Sequence, residues 1–264
     1  MMKQFEYNGI PIVYSDRGEG TSVVFLHGYL ESSAIWDSFS AHFPPSYRII
    51  APDIPGHGGS GTWGSEHSMD DLATAMRLIL DREGIDKVSL IGHSMGGYVT
   101  MAFADLYRER LRGYALFHST CFADTEEKKI NREREISLVK CGKKNQIVRV
   151  NIPKGFANDN LETLSSAVER SRTMAMRCSD DGITALLNGM KHRPDRTHVL
   201  KDPGTPVLLV GGEKDNYIPV EVFNSLSALA PHATSLLLKE SGHMGFIEEP
   251  EAVFEKLMTW MNSL

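Results

Sequence analysis

A serine lies between two glycines in the segment Gly-His-Ser-Met-Gly at residues 92–96, at a spacing that suits a nucleophile. Residues 87–91 have the composition of a short buried strand, and residues 95–106 carry apolar side chains at helical spacing. A strand that turns directly into a helix strains the backbone at the turn, and flanking glycines remove side chains that would collide there. We therefore predict that Ser94 projects from this turn, with the first amides of the helix directed at its target. The simpler alternative is a glycine-rich turn without chemistry.

A serine hydroxyl attacks a carbonyl only when a base removes its proton, and histidine is the usual base because it titrates near neutrality. The chain contains 10 histidines. His243 stands out because it follows the apolar run at residues 235–238 and precedes an amphipathic helix that we expect to begin near Pro250. A histidine in a loop at the end of one strand can reach a nucleophile at the end of a neighbouring strand. We predict that His243 is the base that serves Ser94.

The base requires an acid that orients its ring, and two aspartates follow predicted strands. Asp215 lies just beyond the strand at residues 205–210, and Asp124 lies beyond the strand at residues 113–117. Aspartate is also an ordinary turn residue, so a structural role is the alternative for each. We favour Asp215, because its carboxylate follows the strand end closely enough to reach a histidine ring, and we keep Asp124 as the second candidate.

The order serine, aspartate, histidine along the chain resembles the α/β-hydrolase superfamily, and the resemblance extends over nearly the whole sequence. The His-Gly pair at residues 27–28 is similar to the family's segment after its third strand. Residues 53–60 are similar to the loop after the fourth strand. The resemblance implies a catalytic triad formed by Ser94, Asp215 and His243.

The same resemblance implies an oxyanion hole, in which the backbone N–H groups of Tyr29 and Met95 bind the developing negative charge. It further implies the α/β-hydrolase fold, an α/β architecture with a mostly parallel central sheet covered by helices on both faces. The alternation of short apolar strands with helical segments independently favours such a sheet. The fold does not name the substrate, because one scaffold supports many reactions.

Local signals place several elements of the first half of the chain. Asn8-Gly9 predicts the turn of an opening hairpin between residues 5–7 and 10–14. Ser68 followed by two aspartates predicts a helix start, and Gly84 predicts its end. We also expect a helix over residues 32–43, with strands on either side at residues 23–26 and 48–51.

The strand pattern disappears between residues 122 and 200 and resumes near Pro206. Polar helices are predicted there over residues 124–145, 161–177 and 181–191, with breaks at Pro153-Lys154-Gly155 and Arg193-Pro194. We predict that residues 1–121 and 201–264 form the hydrolase core and that residues 122–200 form a helical cap inserted after the sixth strand. Such a cap would exclude water and shape an acyl or alkyl pocket. The alternative is a solvated decoration that does not contact the substrate.

The composition limits the classes of partner and compartment. With 264 residues and 41% hydrophobic content, the chain can bury a sizeable core. It has no run of about 18 apolar residues, so no membrane span is expected. The amino terminus lacks the apolar stretch of a secretory signal, and the 3 cysteines form no Cys-x-x-Cys pair. We therefore expect a cytoplasmic protein without disulfides. The net charge of −6 disfavours nucleic-acid binding.

Basic residues concentrate in the predicted cap, at Lys140, Lys143, Lys144 and Arg149. Such a cluster is usually a solvated helix face. The alternative is a docking surface for an acidic partner such as an acyl carrier protein, or a surface that attracts anionic substrates.

We expect no cofactor and no metal. Residues 56–61 fit the pattern Gly-x-Gly-x-x-Gly, but this segment does not lead directly from a strand into a helix, as a dinucleotide site requires. No His-Glu-x-x-His motif or Cys/His cluster is present. His57 and His118 are interpreted as structural or pocket-wall residues.

The resemblance therefore implies an enzyme that is similar to carboxylesterases and cleaves an ester, a thioester or a lactone in a small acyl substrate. A serine at position 94 argues against dehalogenase and epoxide hydrolase chemistry, for which related enzymes carry an aspartate. Carbon–carbon bond hydrolases and cofactor-free haloperoxidases share the triad and remain open. A small-molecule receptor with the same fold, slow or inactive as a catalyst, is the alternative from a different class.

Overall fold

The computed structural model describes all residues from 1 to 264, and its centre is one sheet of 8 strands. The strands are β1 Met2–Tyr7, β2 Ile10–Arg17, β3 Thr21–Leu26, β4 Tyr47–Pro52, β5 Val88–His93, β6 Leu111–Phe117, β7 Val207–Gly212 and β8 Thr234–Leu238. They lie in the order β1-β2-β4-β3-β5-β6-β7-β8. β2 pairs antiparallel with β1 and β4, and all other neighbours are parallel. The predicted mostly parallel sheet is confirmed.

Both faces of the sheet are buried, which explains why its central strands are almost continuously apolar. On β3, Val24 and Leu26 belong to one hydrophobic cluster, whereas Val23 and Phe25 belong to another on the opposite face. Successive side chains of a strand point to opposite faces, so each strand contributes to both clusters.

Helices supply the other half of each cluster. The helices are α1 Asp37–Ser40, α2 Met69–Arg82, α3 Met95–Leu106, α4 Glu126–Lys140, α5 Lys144–Lys154, α6 Ser165–Arg177, α7 Asp180–His192, α8 Thr197–Lys201, α9 Val220–Leu229, α10 Gly245–Glu248 and α11 Pro250–Met261. α2, α3 and α9 pack on one face, and α1 and α11 pack on the other. None of the helices combines the length and apolar composition that a bilayer crossing requires.

The local signals at the first hairpin and at α2 are confirmed. Asn8 and Gly9 both have positive φ, at 53° and 75°, and join β1 to β2. The Ser68 side chain accepts a hydrogen bond from the Asp71 amide and caps α2. Gly84, with φ 65°, follows the last residues of that helix.

Two helix predictions are wrong in detail. The segment 32–43 contains a 3-10 turn at Ser33–Trp36 and the single turn of α1, instead of one continuous helix. The predicted helix over residues 124–145 is interrupted, because Gly142 takes a positive φ of 71° beyond the end of α4. Pro153 lies in the last turn of α5, which ends at Lys154, so the predicted break at Pro153-Lys154-Gly155 coincides with the end of that helix.

The segment between β6 and β7 contains five α-helices, α4 to α8, and no strand. Within it, α4 packs against α7 and α5 packs against α6. These helices follow the carboxyl end of β6, at the same edge of the sheet as the ends of β3, β5 and β7.

Candidate active site

Ser94 occupies the turn between β5 and α3 with φ 49° and ψ −113°, a conformation that is strained for a residue with a side chain. Its amide donates to the Phe117 carbonyl at 2.9 Å, and its carbonyl accepts from Ser119 Oγ at 2.7 Å. The half-buried hydroxyl of Ser94 makes no hydrogen bond within the chain, including none to His243. A Cβ on Gly96 would meet the carbonyl oxygens of Leu26 and His27, which explains the need for glycine there.

His243 lies in the loop between β8 and α10, and three contacts fix it. Its Nδ1 lies 2.8 Å from Asp215 Oδ2. Its amide donates to the Gly155 carbonyl at 2.7 Å, at the end of α5. Its carbonyl lies 3.0 Å from Nε2 of His93, the residue before Ser94. The loop is thus attached to the Ser94 turn on one side and to the inserted helices on the other.

Asp215 follows β7, and its buried carboxylate is surrounded by donors. Oδ1 accepts from the amides of Tyr217 at 2.8 Å and Ile218 at 2.9 Å. Oδ2 faces two imidazole rings, those of His243 at 2.8 Å and His118 at 3.2 Å. Burial disfavours the charged carboxylate, but these rings outweigh it and hold the pKa of Asp215 far below its usual value.

His118 contacts the same carboxylate, which the sequence interpretation as a structural or pocket-wall residue did not foresee. It follows β6 with a positive φ of 50° and is 1% exposed. Its Nδ1 faces Asp215, and its Nε2 accepts a hydrogen bond from the Gly245 amide at 3.2 Å. Burial lowers the pKa of His118 to about 4, so the ring is neutral at pH 7. One feature of the sequence could have indicated that His118 lies in the site: it follows the carboxyl end of β6, the strand between β5 and β7.

Asp124, the second candidate acid, is engaged elsewhere. Its buried carboxylate pairs with Arg193 at 2.7 Å and with Arg132 of α4. It makes no hydrogen bond to His243, whose Nδ1 is occupied by Asp215.

The two amides named as oxyanion donors are both without a hydrogen-bond partner in the chain. On either side of Tyr29, the Gly28 amide donates to Glu31 Oε2 at 2.5 Å and the Leu30 amide donates to His57 Nε2 at 3.0 Å. The Tyr29 amide between them has no such acceptor, and neither has the Met95 amide at the start of α3. Leu30 has a positive φ of 62°, which marks a strained loop here as well.

The inserted helices contact residues on both sides of the site through polar groups. Tyr29 donates its hydroxyl to Glu135 of α4 at 3.3 Å. Asn151 of α5 donates to the same carboxylate at 2.9 Å and accepts at its carbonyl from the Tyr217 hydroxyl at 2.9 Å. The Tyr217 ring lies 5.1 Å from that of His243, measured between centroids.

A cleft of about 650 Å³ opens beside this region, between α6 and the loops after β3 and β4. Its walls include Glu31, Gly58 and Met174 but none of the three candidate catalytic residues.

The glycine-rich loop at residues 56–61 packs against the core instead of leading into a helix. His57 in this loop supports the Leu30 amide, and burial lowers its pKa to about 3. In the basic cluster of the inserted segment, Lys144 binds the Cys178 carbonyl at 2.8 Å and Asp180 at 3.0 Å, so part of this cluster stabilises the segment itself.

His118, Asp215 and His243 also bring possible metal-ligand atoms within 4.8 Å of one another. Because the ionised Asp215 carboxylate only accepts hydrogen bonds, we assign a hydrogen to each imidazole nitrogen that faces it, whereas a metal ligand needs an unprotonated nitrogen. Hydrogen bonding therefore accounts for this cluster.

Comparisons with known proteins give consistent results. The model of a family described as the alpha/beta hydrolase family matches residues 23–256. A 2-hydroxy-6-oxononadienedioate/2-hydroxy-6-oxononatrienedioate hydrolase of Paraburkholderia phymatum is 27% identical over 261 residues, which cover 94% of this chain and 90% of that protein. A thermophilic esterase from Thermogutta terrifontis, solved with malate bound, is 27% identical with a TM-score of 0.94, covering 100% of this chain and 98% of that one.

A longer relative is the dihydrolipoyllysine-residue acetyltransferase component of the acetoin cleaving system of Pseudomonas putida. It is 28% identical over 246 residues, which cover 92% of this chain. The match spans only 64% of the length of that relative.

Proposed function

Because the chain belongs to the alpha/beta hydrolase family, we propose that it is a serine hydrolase that cleaves a carboxylic ester, a thioester or a lactone through an acyl-enzyme on Ser94. The proposal rests above all on the contact between His243 Nδ1 and Asp215 Oδ2 at 2.8 Å. This contact lies in a loop that is hydrogen-bonded to the residue before Ser94. Similarity to the Thermogutta esterase along the whole chain supports ester cleavage.

The Asp215 contact sets the direction of proton transfer. Nδ1 of His243 donates to the carboxylate, which leaves the lone pair of Nε2 available to accept a proton. Oγ of Ser94 attacks the carbonyl carbon as its proton passes to Nε2. The tetrahedral intermediate then expels the leaving group, which takes this proton, and the acyl group remains on Ser94. Water gives a proton to Nε2 of His243 and attacks the acyl carbon. The bond from this carbon to Ser94 Oγ then breaks, Oγ takes the proton back from His243, and the acid leaves.

The amides of Tyr29 and Met95 are proposed to bind the oxyanion of the tetrahedral intermediate. The amides on either side of Tyr29 already donate to protein acceptors, whereas the Tyr29 and Met95 N–H groups have no acceptor in the chain and can bind a ligand. Loss of one such donor raises the barrier by about 2.7–4 kcal/mol in serine hydrolases.

Residues 122–200 are proposed to act as the cap, with residues 1–121 and 201–264 as the hydrolase core. The contacts of Glu135 with Tyr29 and of Asn151 with Tyr217 support this role, because they connect the inserted helices to residues beside the candidate oxyanion donor and base. The same contacts make the wall of the site partly polar. The acidic carrier partner is kept as a further proposal for the exposed basic residues of the cap.

Carbon–carbon bond cleavage is the second candidate function. It is favoured by the similarity to the Paraburkholderia protein named 2-hydroxy-6-oxononadienedioate/2-hydroxy-6-oxononatrienedioate hydrolase. The same three residues would serve, so ester and dioate panels must separate the two reactions.

The test compares the wild-type protein with Ser94→Ala on p-nitrophenyl butyrate, with circular dichroism as the check on folding. We expect turnover by the wild type and loss of turnover in the folded variant. Retained turnover in Ser94→Ala would overturn the proposal. Turnover of 2-hydroxy-6-oxo-dienedioates by a wild type that cleaves no ester would favour the second candidate.

A further inference from the structure

His93, the residue before Ser94, has its side chain buried between two other parts of the candidate site. The residue is 1% exposed. Its Nδ1 lies 3.1 Å from Glu31 Oε2, and its Nε2 lies 3.0 Å from the carbonyl oxygen of His243. The same oxygen of Glu31 accepts the amide hydrogen of Gly28 at 2.5 Å. The proposed mechanism uses neither His93 nor Glu31.

The chemistry of these partners determines the charge of the ring. A carbonyl oxygen only accepts hydrogen bonds, and a carboxylate does the same. A neutral imidazole has one N–H group, so its other nitrogen would place a lone pair about 3 Å from an oxygen lone pair. With Glu31 ionised, both contacts are satisfied only when both ring nitrogens of His93 carry hydrogens, which makes the ring an imidazolium.

The electrostatic surroundings agree with this charge. Burial alone would lower the pKa of His93, but the Glu31 carboxylate outweighs it and the pKa lies above its usual value of 6.5. In the same way, burial would raise the pKa of Glu31, but His93 and the Gly28 amide hold it below its usual value of 4.5.

Other groups pack around the ring without changing this balance. Asp215 adds a second negative charge nearby. The rings of His118 and His243 lie at centroid distances of 6.3 and 5.0 Å. His27 is a further neighbour, and burial lowers its pKa, so it stays neutral. Trp36 and Phe246 provide the apolar walls.

We propose that His93 and Glu31 form a buried, charged ion pair that positions the three parts of the catalytic site relative to one another. Through Glu31 the pair holds the Gly28 amide, next to the oxyanion donor Tyr29. The backbone of His93 forms part of the Ser94 turn, and Nε2 of His93 binds the carbonyl oxygen of His243 and so holds its loop. His93 and Glu31 are both positioning residues, since neither contacts the reacting atoms, and the catalytic part of the inference rests on the proposed function.

Glu31→Gln tests the inference because it removes the charge and keeps the size of the side chain. Without the carboxylate the His93 ring becomes neutral, and one of the three contacts must be lost. If the glutamine oxygen keeps the Gly28 amide, His93 carries its hydrogen at Nδ1 and loses the His243 carbonyl; if the NH2 group faces Nδ1, the Gly28 amide loses its acceptor. We expect kcat to fall by about 10- to 100-fold, because small displacements of catalytic groups have effects of that size, with KM nearly unchanged.

Glu83→Gln is the matched control. Glu83 also pairs in a largely buried position, with Lys3 and Arg48, but Arg48 lies near the amino end of β4, at the opposite edge of the sheet from the site. This variant loses the same charge and should keep its kcat even if its thermal stability falls. Equal kcat values for Glu31→Gln and Glu83→Gln would overturn the positioning role.

Nitrogen-15 NMR of the histidine rings in the full chain tests the charge directly, with His93→Gln to assign the signals. In the wild type at pH 7 we expect both His93 nitrogens to be protonated, and in Glu31→Gln we expect one to lose its hydrogen. A neutral His93 in the wild type would overturn the ion pair. This readout does not depend on turnover: a charged His93 in a protein that cleaves no substrate contradicts only the proposed function.

Discussion

Replacing Asp215 by asparagine should disable the candidate base while keeping the size of the side chain. Oδ1 of Asp215 faces two backbone N–H groups that cannot reverse, at 2.8 and 2.9 Å. The amide oxygen of asparagine must therefore take that position, and its NH2 group must face the rings of His118 and His243. His243 then has to offer a lone pair at Nδ1 and carry its hydrogen at Nε2, where it cannot accept the proton of Ser94.

The expected loss follows from this exchange of tautomers. The equivalent change in a serine protease lowers kcat by about 10⁴-fold, which corresponds to about 5 kcal/mol of barrier. We expect a decrease of the same order for Asp215→Asn, measured as kcat and as the presteady-state burst with p-nitrophenyl butyrate. KM should change far less than kcat, because Asp215 is buried behind His243 and touches no substrate.

Asp124→Asn is the control, since it makes the same replacement at the other candidate acid. It weakens a buried pair with Arg132 and Arg193, so the free energy of unfolding should fall, by up to about 3 kcal/mol. Its kcat should remain close to that of the wild type. Asp215 is not the orienting acid if folded Asp215→Asn retains kcat within about tenfold of the wild type, or if Asp124→Asn loses as much.

Three further predictions concern residues around this centre. His118→Asn leaves the buried Gly245 amide without its acceptor, so the free energy of unfolding, measured by denaturant melts, should fall by about 1–3 kcal/mol. An unchanged free energy would contradict the hydrogen bond from the Gly245 amide to His118. His27, His57, His67 and His118 have pKa values lowered on folding, so the unfolded chain binds more protons and the free energy of unfolding should fall as the pH drops below 6.5. Each of these histidines changes the free energy of unfolding by up to about 1.4 kcal/mol per pH unit. His93 has a raised pKa, so it affects this free energy only above pH 6.5. Equal free energies of unfolding at pH 6.5 and 4.5 would be inconsistent with neutral buried rings. If the cap binds an acidic carrier, Lys143→Glu should raise KM for a carrier-linked thioester and leave KM for a small neutral ester unchanged. Equal KM values of wild type and variant for the carrier-linked thioester would exclude that docking surface.

The sheet was the most predictable part of the fold, because its apolar strands are bounded by clear turn residues. Asn8-Gly9 and the capping Ser68 each act within a few positions of the chain, so their consequences can be derived locally. The helices between β6 and β7 were less predictable. Their ends depend on packing of α4 against α7 and of α5 against α6, and on a left-handed residue at Gly142 that sequence spacing alone does not reveal.

The candidate site shows the same division. Ser94, His243 and Asp215 each follow a strand, and the structure brings Asp215 and His243 into contact. The contact between His118 and Asp215 joins residues 97 positions apart, and that between His93 and Glu31 joins residues 62 positions apart. These pairs meet because the order of strands in the sheet brings their loops together. No periodicity or motif in the sequence relates residues at such separations.

Covalent labelling of the wild-type protein with a fluorophosphonate, followed by peptide mass spectrometry, tests directly whether Ser94 is the nucleophile. We expect one adduct on Ser94, formed rapidly in the wild type and much more slowly in His243→Gln, because the hydroxyl reacts only when a base removes its proton. A folded protein that carries no adduct, or carries it on another serine, would contradict the claim that Ser94 is the nucleophile.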